Sequence, residues 1–103
     1  MIKVLDDSSF EQAIAQGKVM VDFWASWCSP CTALAPVIEE IAKEVDDVFI
    51  GKVDVDEYPE LAGKLGVMSI PTLMFFKDGK LIETSVGVIP KAVILKKLER
   101  LAE

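Results

Sequence analysis

The apolar positions of this chain fall into two rhythms, one of strands and one of helices. Ile2–Leu5 is a short apolar start that predicts a strand. Ser8 and Glu11 have capping-box spacing, which predicts a helix over Ser9–Gln16 that stops at Gly17. Val19–Ala25 is a dense apolar run broken only by Asp22, and it predicts a strand buried on both faces. Leu34, Val37, Ile38, Ile41 and Val45 recur at helical spacing, so a helix is expected over Ala33–Val45. Pro36 lies inside it, removes a backbone donor and crowds the carbonyl four residues back, which predicts a kink. Val48–Val55 is rich in β-branched residues and predicts a strand; Tyr58–Leu65 predicts a short helix closed by Gly66. Thr72–Lys77 and Lys80–Val86 flank Asp78-Gly79, a strong hairpin signal. Ile94, Leu95, Leu98 and Leu101 form one stripe of a last helix, with Pro90 near its start.

The order is therefore β-α-β-α-β-α-β-β-α. Alternating units imply an α/β fold with a parallel sheet covered by helices on both faces, and the hairpin adds an antiparallel part. That is a mixed sheet of about five strands flanked by about four helices. In such sheets, sites form outside the carboxyl ends of the strands.

Composition narrows the function. The 103 residues fit one domain spanning 1–103, and 51 % hydrophobic content supplies a core without a disulfide staple. Net charge is −6 with no histidine, which argues against nucleic acid and leaves no basic patch for an anionic membrane. There is no apolar run of about 18 residues for a membrane span. The N-terminus shows no basic region followed by an apolar stretch, so the chain reads as cytoplasmic and non-membrane.

The two cysteines of the chain stand together, in Trp27-Cys28-Ser29-Pro30-Cys31, where a central strand ends and a helix begins. This spacing lets one thiolate attack an outside disulfide and the other resolve the mixed intermediate. A helix N-terminus favours a thiolate at Cys28 through free amides and the dipole. The other chemistry open to the pair is zinc. A structural zinc site needs about four ligands, and two cysteines with no histidine could supply it only between chains. Asp22 is a carboxylate in a buried strand, so its pKa should be raised, and Lys52 on the next strand is its candidate structural partner. No Gly-rich nucleotide fingerprint is present, so direct use of NADPH or flavin is not expected.

The chain resembles the thioredoxin family over essentially its whole length. The resemblance is carried by Val21-Asp22-Phe23-Trp24-Ala25-Ser26-Trp27-Cys28-Ser29-Pro30-Cys31, by Ile70-Pro71-Thr72, by Lys77-Asp78-Gly79 and by Val86-Gly87. It implies the thioredoxin fold and a protein-disulfide reductase that needs no cofactor beyond its Cys28–Cys31 couple. Cys28 is then the exposed nucleophile, Cys31 the buried resolving thiol, and Asp22 the acid/base that moves the Cys31 proton through water. Pro71 is implied to be cis, facing the disulfide and leaving the Ile70 backbone free to pair with an extended client segment. Trp27, Pro30, Ile70, Pro71, Val86, Gly87 and Val88 resemble the family's client-contact surface, although Val86 and Val88 read equally well as core. Gly87 reads either as a close backbone approach or as a plain bend. Met20, Met68 and Met74 read as core or loop fillers, and the acidic run Asp54–Glu57 as a solvated loop and helix start. The implied partners are disulfide-bearing client proteins and a thioredoxin reductase, with the chain itself a monomer. Two rivals are a dedicated oxidant or isomerase of the same fold, and a binding module whose thiols stay idle.

Departures from the family pattern cluster at the site. Ser29 replaces the usual glycine, and its hydroxyl could donate to the Cys28 thiolate and raise the reduction potential. Thr32 replaces a common basic residue, and Met68-Ser69 replaces a small or basic pair before Ile70. Both lie beside the expected groove and bear on partner choice. Pro90 stands where a capping residue is expected.

Overall fold

The computed structural model describes residues 2–102; Met1 and Glu103, the ends of the 1–103 domain, lie outside the described residues. Nine elements follow in the expected order: β1 (Ile2–Val4), α1 (Phe10–Ile14), β2 (Lys18–Trp24), α2 (Ser29–Glu44), β3 (Val48–Asp54), α3 (Pro59–Lys64), β4 (Thr72–Lys77), β5 (Lys80–Val86) and α4 (Lys91–Arg100). The sheet order is β1-β3-β2-β4-β5. β3 runs parallel to β1 and β2, while β4 runs antiparallel to β2 and β5. The sheet is mixed for the reason the sequence carries. Asp78 and Gly79 both take positive φ, 50° and 84°, which closes a two-residue turn matched to strand twist.

Strand alternation divides the core into two layers. Met20, Ile50, Leu73 and Phe75 face Leu34, Ile38 and Ile41 of α2 and Ile94 and Leu98 of α4. Val19, Val21, Phe23, Val53, Met74 and Phe76 face the other way, onto Leu5 and onto Phe10 and Ile14 of α1. There Phe10 meets Phe76 edge-on, with ring centroids 5.9 Å apart. Asp22 shares the parity of Met20, so its side chain points to the α2 side. Gly51 leaves room for Leu5, which follows β1: a Cβ there would lie 2.5 Å from Leu5 Cδ1.

Helix ends depart from expectation. The Ser8/Glu11 capping box does not form, and α1 is shorter than Ser9–Gln16. Just ahead of α1, Asp6 Oδ1 accepts from the amides of Ser8 (2.9 Å) and Ser9 (2.8 Å), while the N-cap Ser9 makes no side-chain cap bond. α2 starts at Ser29, four residues before the expected Ala33, because Cys28 serves as its N-cap. It continues unbroken through Pro36, so the missing donor does not end it. α3 ends as expected at Gly66, φ +78°, in a Schellman arrangement. There the Val67 amide donates to the Ala62 carbonyl (2.9 Å) and the Gly66 amide to that of Gly63 (3.1 Å). Pro90 caps α4 without a side-chain bond.

Candidate active site

Topology brings the predicted residues to one end of the sheet. β2 and β3 finish there, and β4, being antiparallel, starts there. Thr72 registers with Phe23 of β2 and with Val86 of β5, so Ile70-Pro71 and Val86-Gly87 arrive beside the β2–α2 junction. The Gly87 amide donates to the Pro71 carbonyl (2.8 Å) and fixes that approach. Gly87 has φ +91° and open space where a Cβ would stand, so it makes a bend and not a close approach. Val86 and Val88 are 62 % and 52 % exposed, which removes the core reading for both.

Cys28 and Cys31 form a disulfide, Cα to Cα 5.2 Å. The Cys31 amide donates to Cys28 Sγ (3.1 Å), so the sulfur occupies the place of a capping oxygen at the first turn of α2. After reduction the same amide and dipole favour a thiolate. Thr32 tightens this turn through its hydroxyl, which donates to the Cys28 carbonyl (3.2 Å). Cys28 is not the exposed member of the pair. Both residues are 4 % exposed, because Cys28 packs with Ala25, Ile70 and Val55 and its Sγ lies 3.8 Å from the Ile70 carbonyl oxygen. Ser29 and Pro30 cover the helix start and are exposed; Pro71 is buried. The Ile70–Pro71 bond is cis. Among the described residues, neither the amide nor the carbonyl of Ile70 enters a backbone hydrogen bond.

Asp22 lies beneath this turn, lining a pocket of about 230 Å³ with Trp24, Ser26, Cys31, Thr32 and Lys52. It is 2 % exposed, and its Oδ1 has no hydrogen-bond partner. Burial pushes its pKa up to about 6, against a partly opposing attraction from Lys52. The expected structural pairing with Lys52 is not made. Lys52 registers beside Asp22 on β3, but its ammonium lies over the half-buried Trp24 ring, 4.4 Å from the centroid. The ion pairs among the described residues do not include Asp22.

One contact was not foreseen. Trp27, 68 % exposed, donates its indole N–H to Asp56 Oδ2 (2.6 Å), so the acidic run is not merely solvated. Its sequence signal was weak: an acidic loop after β3, whose proximity to Trp27 comes only from Trp24 pairing with Asp54.

A cysteine pair at a strand-to-helix junction, with one sulfur capping the helix and a buried acid behind it, defines a thiol-disulfide exchange protein. The thioredoxin family model matches residues 1–100. The thioredoxin of Listeria monocytogenes is 52 % identical over 92 residues, 88 % of this chain and 89 % of that one. That of Bacillus subtilis is 54 % identical over 89 residues, covering 85 % and 86 %. A mutant thioredoxin from Halobacterium salinarum superposes with TM-score 0.92 at 34 % identity, covering 99 % of this chain and 91 % of that one. The chain belongs to the thioredoxin family. It is a protein-disulfide reductase, and its redox group is its own dithiol/disulfide couple, with no cofactor needed. Among the described residues, no cluster of three or more His, Cys, Asp or Glu could hold a metal, and no helix is long and apolar enough to cross a membrane.

Proposed function

We propose that Cys28 is the attacking thiolate, Cys31 the resolving thiol and Asp22 the acid/base that handles the Cys31 proton. The observation that carries this is the cap: Cys28 Sγ accepts the Cys31 amide in the first turn of α2, while Asp22 shares a pocket with Cys31. Cys28 attacks one sulfur of a client disulfide, forming a mixed disulfide and expelling the client's other thiolate. Cys31, deprotonated with Asp22 as acceptor through water, then attacks Cys28 Sγ. The client leaves with both thiols reduced, and the Cys28–Cys31 disulfide remains.

Clients dock as extended segments on Trp27, Ile70, Pro71, Val86, Gly87 and Val88, pairing with the free Ile70 backbone groups. That backbone and the exposure of Trp27, Val86 and Val88 support the reading. Ser29 and Pro30 shape the rim, and Lys52 tempers the Asp22 charge. A thioredoxin reductase returns the couple to the dithiol state. Residues 1–103 act as one domain, monomeric and cytoplasmic.

The test is trapping. A Cys31→Ser variant accumulates mixed disulfides with client proteins through Cys28, and a Cys28→Ser variant does not. Trapping through Cys31 in the Cys28→Ser variant instead would reverse the two roles. Trapping by neither would leave a binding module with idle thiols.

A further inference from the structure

Met68 belongs neither to the core nor to the redox couple. It is 95 % exposed, whereas Met20 and Met74 are buried in the two core layers. It stands on the link from α3 to Pro71 and lines a mostly apolar pocket of about 190 Å³ with Trp27, Val55, Val67, Ser69 and Ile70. The pocket joins the exposed Trp27 ring to Ile70, whose carbonyl oxygen lies 3.8 Å from Cys28 Sγ. A thioether here is a flexible, polarisable wall that adapts to varied side chains. With this exposure it is also open to peroxide, while the buried methionines are shielded.

We propose that Met68 is a modification site: a hydroperoxide converts it to the sulfoxide, which makes this wall of the client groove polar and weakens docking of protein clients. The inference rests on the reading of this pocket as part of that groove. In the step, the thioether sulfur attacks one peroxide oxygen. An S–O bond forms and the O–O bond breaks. Sulfur is oxidised by two electrons, and the other oxygen takes a proton and leaves as water when the oxidant is hydrogen peroxide. With Cys28 and Cys31 already joined as a disulfide, the step leaves the redox couple untouched. Enzymatic reduction of the sulfoxide would restore the groove.

The experiment treats the oxidised full chain with hydrogen peroxide, maps the added oxygen by peptide mass spectrometry, and then assays turnover. Insulin serves as the protein disulfide and DTNB as a small disulfide that does not need the groove. Met68 is expected to gain oxygen well before Met20 and Met74. The KM for insulin is expected to rise about three- to tenfold, the range a lost thioether contact carries, with kcat and DTNB reduction unchanged. A Met68→Leu variant should keep its insulin KM through the same treatment. Oxidation of Met68 no faster than of the buried methionines overturns the proposal, as does complete oxidation with no change in KM. So does an equal loss in the Met68→Leu variant. Untreated protein that reduces neither probe would instead overturn the redox reading beneath it.

Discussion

Asp22→Asn is the substitution whose consequences the structure specifies most fully. It keeps the shape of a side chain that is 2 % exposed and removes its titration. The Asp22 carboxyl has a pKa of about 6 in the fold, raised by burial, against an ordinary 3.8. The fold therefore holds the proton more tightly than the open chain does. Stability from that preference is complete below the open-chain pKa and is lost as pH rises through the folded one. At neutral pH the ionised carboxylate costs the fold about 3 kcal/mol relative to the neutral acid. Asparagine carries no such cost, so the variant should be more stable than the parent at pH 7 by up to about 3 kcal/mol. The gap should close between the two pKa values and stay constant at lower pH. Urea unfolding of the oxidised proteins across a pH series reads this directly. A stability difference that does not change with pH would show that Asp22 titrates alike in both states, and the burial argument would fail. The same variant should slow insulin reduction by at least about tenfold if Asp22 is the proposed proton acceptor for Cys31, and an unchanged rate would refute that role.

Two further substitutions follow from local geometry. Ser29 is exposed at the first position of α2, and in the dithiol state its hydroxyl can donate to the Cys28 thiolate. Ser29→Gly should then lower the reduction potential by roughly 10–30 mV, since a net hydrogen bond of about 0.5–1.5 kcal/mol is lost from the reduced form. Titration against thiol buffers decides it, and an unchanged potential rules the bond out. Gly51→Ala would set a methyl 2.5 Å from Leu5 Cδ1 and 3.0 Å from its Cγ. Displacing Leu5 from the core should cost about 1–3 kcal/mol, read as a lower urea midpoint. An unmoved midpoint would mean that Leu5 swings aside freely.

Legibility in the sequence followed the range of the interaction. Asp78-Gly79 declared its turn because positive φ is a property of those two residues. Val19–Ala25 declared a two-sided strand because its burial is written in its own side chains. The start of α2 was legible only through the strand-to-helix junction at the cysteines, because a sulfur, not a serine or aspartate, caps it. Without that cap the apolar repeat begins only at Leu34. The Ser8/Glu11 capping box does not form because the Asp6 carboxylate takes the Ser8 and Ser9 amides just ahead of α1. The Trp27–Asp56 bond and the placement of Lys52 over Trp24 depend on β2–β3 register, which no local pattern contains. Val86 and Val88 have core-like side chains at exposed positions, and no local pattern separates such residues from core.

The position of Asp22 explains how the fold sustains a cost at its site. Burial is what raises this carboxyl's pKa, and a rim or edge-strand position would return it toward the ordinary range. β2 is the central strand, paired on both sides, and its neighbours Val21 and Phe23 anchor the opposite core layer. Those anchors hold β2 in register whatever the charge at Asp22, because they lie on the other face. The lysine that could neutralise Asp22 is drawn to the Trp24 ring instead, which leaves the acid unpaired beneath Cys31. A pairing with Lys52 would raise stability at neutral pH and lower the pKa together. The same contact therefore sets both properties, and a stabler β2–β3 pair would be a poorer proton acceptor. Burial raises the Asp22 pKa, and Trp24, with the Lys52 ammonium over its ring, keeps that lysine from an ion pair that would lower it further.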